Sequence, residues 1–177
     1  APTGGGDDTP PTLFYSRRIG LNQGREVPLV GGGRLTGRLG KFTLGLLNIR
    51  TEQEPDLQSL ATNFSVVRVK RDLLRRSSIG AIFTGRSIAQ NGVGTNEAYG
   101  VDGTFAFFDS LAINTYWART RTDHLSGEDT SYRAQLDYAG DRYGLQLERL
   151  VVGDHFNPEV GFLRRDDIRK SFGQFRF

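Results

Sequence analysis

The chain has 177 residues, 37 % of them hydrophobic, with a net charge of +3 and a mean hydropathy of −0.42, which allows one ordinary domain. No run approaches the roughly 18 apolar residues of a spanning helix, so a helical membrane protein is excluded; a spanning β-strand of about 9–11 half-polar residues is not. Cysteine is absent, which removes disulfide frameworks and thiolate metal sites.

Methionine is also absent, even at position 1. The sequence is therefore expected to be a processed or excised piece, with any signal peptide outside it. Its 23 glycines, 12 Phe, 6 Tyr and 1 Trp suit short twisted strands and tight turns better than helices. The basic balance is carried almost wholly by arginines spread along the chain. They read as lumenal and surface arginines, and no nucleic-acid partner is expected.

The opening "APTGGGDDTPP" predicts loop. Residues 1–33 as a whole read as a Gly/Pro-rich N-terminal segment, a loop or a rim or plug element. From Arg34 about eight extended segments follow, near 34–50, 62–71, 78–85, 98–108, 110–120, 130–139, 142–152 and 167–177. Residues 34–177 thus form the β region. In 34–50 the period slips: Leu35 and Leu39 share one face while Phe42, Leu44 and Leu46 fall on the other, and a bulge at Gly40–Lys41 would repair it. In 62–71 Phe64 and Val66 compete with Val67 and Val69, and the latter pair is assigned outward.

The later segments alternate cleanly. Tyr99, Val101, Gly103, Phe105 and Phe107 oppose Asp102 and Thr104. Leu111, Ile113, Thr115 and Trp117 oppose Asn114 and Tyr116. In "TSYRAQLDYAGDRYGLQLERLVV", Tyr132, Ala134, Leu136 and Tyr138 oppose Arg133, Gln135 and Asp137, and Leu145 and Leu147 oppose Gln146 and Glu148. Period two means strands with one apolar and one polar face.

The links decide which face looks outward. "TEQEPDLQSLA", "GRSIAQNGVGTNE", "RTDHLSGED" and "GDHFNPEVGFLRRDD" are long; "DLLRRS", "DS" and "AGD" are short. Long and short links alternate, as in outer-membrane barrels with short periplasmic turns and long external loops; a Greek-key sandwich has no reason to alternate so. The chain is expected to start and end on the short-turn side. The fold class predicted is an all-β, antiparallel up-and-down transmembrane barrel, complete or part of a larger one. Its lumen-facing candidates are Asp102, Asn114, Tyr116, Arg133, Gln135, Asp137, Gln146 and Glu148. Burying these in a dry core would cost several kcal/mol per unpaired charge, whereas a wet lumen costs little.

Motifs for chemistry fail. "GGGRLTGRLGKF" lacks the P-loop spacing and the dinucleotide GxGxxG. His124 and His155 lie in long loops without converging ligands, and the acidic pairs Asp7–Asp8 and Asp166–Asp167 have no EF-type spacing. No catalytic, cofactor or metal residue is expected. The basic run "RVKRDLLRR" is placed toward the short-turn side, where it would meet anionic headgroups.

"LFYSRRIGL", "GGGRLTGRLGKFTLGLLNIRTE", "NFSVVRVKRDLLRRSSIGAIFTGR", "AYGVDGTFAF" and "VGDHFNPEVGFLRRDDIR" occur in this order. Together they resemble the C-terminal barrel region, a domain of unknown function, of large bacterial outer-membrane proteins with an N-terminal carbohydrate-binding family-nine-like module. The resemblance implies an outer-membrane β-barrel and supplies no catalytic residue. It also implies a longer barrel, of which this chain would be the first half. In its motifs Tyr15, Arg17 and Arg18 would form a polar plug or rim contact. Asn157, Pro158 and Gly161 would shape a structured turn in the last long loop, Phe162 would anchor it, and Arg164 and Arg165 would pair with Asp166 and Asp167.

The function expected is therefore passage or surface binding of a solute, a saccharide among the candidates, in a bacterial outer membrane, with membrane lipid as partner. Two alternatives stand beside it. A soluble all-β carbohydrate-binding module would bury Tyr99, Leu145 and Leu147, and an outer-membrane enzyme would act through loop residues.

Overall fold

Gly40 has a positive φ of 58°, a conformation in which glycine carries no Cβ penalty, and with Lys41 it turns the chain back on itself. The computed structural model, which describes residues 10–22 and 24–177, therefore has two strands where the sequence predicts one bulged segment. These are β3 (Leu29–Leu39) and β4 (Phe42–Thr51), preceded by a minimal pair β1 (Leu21–Asn22) and β2 (Arg25–Glu26). Leu39 pairs with Phe42, Gly37 with Leu44 and Leu35 with Leu46. The reversal puts all of these apolar side chains on one face, which removes the phase slip. The first residues through position 9, including Asp7 and Asp8, lie outside the described residues.

Seven further strands follow: β5 (Asn63–Leu74), β6 (Ser77–Arg86), β7 (Asn96–Phe107), β8 (Leu111–Thr122), β9 (Thr130–Ala139), β10 (Gly144–Val152) and β11 (Ile168–Arg176). Each is antiparallel to its sequence neighbours, in one nine-stranded sheet ordered β3 to β11. The all-β, up-and-down expectation holds. The strand count is nine rather than eight, and the sheet begins at Leu29 rather than Arg34. The extra hairpin also reverses the expected starting side: β3 begins at the long-loop end, while β11 ends at the short-turn end. Because nine is odd, the two edge strands run in the same direction, and β3 does not pair with β11.

The strands have two unlike faces. Against one, here the inner face, lie the N-terminal stretch and the last long loop, residues 153–167. The sheet side chains buried there are Phe64, Val66, Ala98, Ala118, Leu150 and Val152, and the loop inserts Phe156 and Val160 among them. Val160 packs with Phe64 and Val66 of β5, and Phe156 with Leu150 and Val152 of β10. In a flat sheet those strands stand about 24 Å apart, whereas four residues of chain span at most about 14 Å. The sheet therefore curls around the loop.

The outer face is a continuous apolar band covered by no other part of the described chain. Its long-loop side carries Phe83, Tyr99, Trp117 and Tyr132. Its turn side carries Phe42, Phe105, Phe107, Tyr138 and Phe175, with Arg71 stacked 5.1 Å above the Phe42 ring. Val67 and Val69 point outward as expected, while Phe64 and Val66 turn inward. Tyr99 and Leu147 are 37 % and 46 % exposed and Leu145 is half-buried. The burial that a soluble sandwich requires of these residues is not provided by the described residues.

The band's upper edge is inclined. Leu46, Val67, Phe83 and Tyr99 share one rung, which continues to Arg119 and Thr130. In β8 and β9 the edge has stepped down to Trp117 and Tyr132. In β10 Val151 lies on that same rung, above Arg149 and Leu147. The edge thus drops two residues between β7 and β8.

Candidate functional site

The polar side chains of the inner face arise from simple parity. Asp102 in β7, Asn114 and Tyr116 in β8, Arg133, Gln135 and Asp137 in β9, and Gln146 and Glu148 in β10 all share the face that bears Ala98, Ala118 and Leu150. All eight predicted positions therefore lie together. Several are paired. Arg133 Nε donates to Glu148 at 3.2 Å, Gln135 Nε2 to Asp137 at 2.7 Å, and the Tyr116 and Ser131 hydroxyls bond at 2.9 Å. The half of this face nearer the short turns is polar; the half nearer the long loops combines the apolar core under Phe156 and Val160 with buried Thr84, Arg86, Asn96, Thr120 and Ser131.

Asp102 has a partner that the sequence did not suggest. Arg68 grips it with both guanidinium nitrogens, the second bond measuring 2.9 Å. The basic run "RVKRDLLRR" is thus not one patch: Arg68 turns inward, Arg71 outward, and Arg75 and Arg76 form the β5–β6 turn. Arg68 reaches Asp102 across Gly80, where a Cβ would stand 2.5 Å from the guanidinium. Gly80→Val is expected to displace Arg68 and to cost about 1–3 kcal/mol, as overpacking does. Gly45→Ala, whose Cβ would meet only the Arg68 Cβ at 3.8 Å, should stay within about 0.5 kcal/mol. Denaturant midpoints of the two variants check the difference.

At the long-loop end a buried network fixes the last long loop against the inner face. Arg86 and Glu159, 8 % and 4 % exposed at their side chains, approach to 3.7 Å. The Gln90 N–H donates to Glu159 at 2.8 Å and Asn157 Nδ2 donates to it at 3.1 Å. Asn96 donates to the Asn157 carbonyl at 2.8 Å and accepts from the Glu159 N–H at 3.2 Å, and the Asn157 N–H donates to the Thr120 hydroxyl at 2.9 Å. Burial raises the Glu159 carboxyl above its ordinary pKa, outweighing the Gln90 N–H and the nearby Arg86.

The motif residues divide. Asn157, Pro158 and Gly161 do build a turn: the Gly161 N–H donates to the Pro158 carbonyl at 2.9 Å, and a Cβ at Gly161 would collide with Thr12 and Leu13 backbone. Tyr15 donates its N–H to the Val160 carbonyl, and its ring lies 5.7 Å from Phe162. Phe162 pairs its backbone with Thr12, yet its side chain is 40 % exposed. The expected anchoring role therefore belongs to the buried Phe156 and Val160. Arg17 is exposed on a 3-10 turn (Ser16–Arg18), Arg18 is half-buried near Glu159, and Arg165 is exposed on the loop.

Arg86, Asn96, Glu159 and Phe156 escaped the sequence reading. Their one signal was parity: Arg86 alternates with Thr84 and Ile82, and Asn96 with Ala98. A polar residue on such a row is not distinguishable from a solvent-facing one until the loop is seen lying over it.

His124 is exposed with φ 67°, and His155 packs against Gly127 with its Nδ1 2.7 Å from Asp154. Among the described residues no group of three or more His, Cys, Asp or Glu could hold a metal ion, and no helix is long and apolar enough to cross a membrane. Comparisons with protein families, curated proteins and solved structures found no match.

Proposed function

We propose that this chain forms part of the wall of a bacterial outer-membrane β-barrel. Its outer face contacts lipid, and its polar inner face lines a plugged lumen that passes or captures a small polar solute, a saccharide among the candidates. The observation that carries the reading is the apolar outer face, which no other part of the described chain covers, set against a polar inner face on the same strands, the alternation that a lipid-facing barrel wall requires. Strands of 9 to 12 residues suit a span of about 9–11, and two aromatic rows border the band as interfacial girdles do.

The odd strand count bears on closure. Edge strands that run in the same direction require an odd number of further strands for an antiparallel closed wall. In the proposed barrel those strands come from outside this sequence, in line with the resemblance described above.

Trp117, the only tryptophan, sits at the band edge and provides the test. In reconstituted vesicles its emission is expected to be quenched by lipids brominated near the headgroup and only weakly by a water-soluble quencher. A monodisperse detergent-free chain whose Trp117 is quenched only from water would defeat the proposal.

A further inference from the structure

We propose that the cavity between the N-terminal segment and the inner face binds a linear amphiphile with a single anionic head group. The cavity has a volume of about 760 Å³, within the range of about 300–1,000 Å³ of sites that enclose small organic ligands. Its walls are mainly aliphatic and aromatic: Phe14, Ile19, Leu47, Val66 and Ile82 line it. Such a wall suits a hydrocarbon chain and offers a sugar few hydrogen-bond partners along its length.

The polar groups gather toward one side. Arg34 and Thr36 of β3 and the Arg68–Asp102 pair line the same cavity. Arg34 makes no ion pair among the described residues. Among the described residues that line the cavity, two guanidiniums against one carboxylate leave one positive charge in excess, which complements a monoanion. Thr36, Gly45 and Arg68 share one rung, and Arg34 is the next same-face residue along β3. Gly45, having no side chain, leaves the floor between the two arginines open. A carboxylate seated there accepts from Arg34 and Arg68 while its chain runs along the aliphatic wall toward Phe14. The inference stands on the cavity and its charges, independently of whether the outer face meets lipid.

The test is calorimetric titration of the full chain, held in amphipol, with dodecanoate, dodecanol and maltose. Saturable binding of dodecanoate near one equivalent is expected, with dodecanol at least tenfold weaker and maltose without effect. Arg34→Gln should weaken dodecanoate about tenfold, the scale of a charged hydrogen bond, and Arg34→Lys should restore most of the loss. Gly45→Phe, at a position whose Cβ has room, should abolish binding with an unchanged circular dichroism spectrum. The assignment is overturned by the absence of saturable binding, by equal affinity for dodecanol, or by undiminished affinity in Arg34→Gln or in a folded Gly45→Phe chain.

Discussion

On the proposed reading, in which the outer face meets lipid, Leu136→Arg is expected to destabilise the vesicle-folded chain by about 2–4 kcal/mol, the cost of an arginine on a lipid-facing strand position. Leu136 lies between Tyr132 and Tyr138 on the outer row of β9, paired with Leu147 on one side and Ile113 on the other. No second layer of the described residues covers it. The adjacent Gln135 faces inward, where Asp137 accepts from its amide, and Gln135→Arg should change stability by less than about 1 kcal/mol. The pair isolates the effect of face from that of position along the strand. Denaturant titration of vesicle-folded variants measures it. Equal, small effects at both positions would mean that water bathes both faces.

The second large effect concerns the loop. Glu159→Ala is expected to lower the free energy of local opening of residues 153–163 by about 1–3 kcal/mol, because it leaves the Gln90 N–H and the Asn157 amide without their acceptor. Glu159→Gln, which keeps an acceptor oxygen for both, should cost much less. Hydrogen exchange at the Gly161 and Phe162 amides, which donate to Pro158 and Thr12, reports the opening.

The same site has a pH signature. Burial sets the folded pKa of Glu159 above its unfolded value. Its contribution to the docked loop is thus fully present below the ordinary glutamate pKa and is lost as pH rises through the raised one. Asp154 works in the opposite sense. The neighbouring His155 side chain holds its carboxyl low, so its contribution is present above the ordinary aspartate pKa and is lost as pH falls through the depressed value. Between neutrality and the ordinary carboxylate range, protection of the loop should rise as pH falls, and Glu159→Gln should flatten that rise. A wild-type profile falling over this window would contradict the assignment.

Much of this architecture was legible because a strand displays its two faces in turn. From Tyr99 onward the apolar and polar rows separate without ambiguity, and the eight polar inner-face residues follow from parity alone. The 34–50 stretch misled for a physical reason. A two-residue turn at Gly40–Lys41 inverts the parity of all that follows, and a bulge would do the same. Counting alternation cannot separate the two, whereas the pairing of Leu35 with Leu46 does.

By itself, then, the sequence determined an all-β chain of antiparallel neighbours with alternating short and long links and two faces of opposite character, since these depend on residues next to one another. Only the tertiary structure decided that nine strands leave two like-directed edges, that Arg68 crosses Gly80 to reach Asp102, and that Phe156, Val160 and Glu159 dock over half of a face that otherwise reads as polar. Those outcomes depend on contacts between residues dozens of positions apart, and local periodicity carries no record of them.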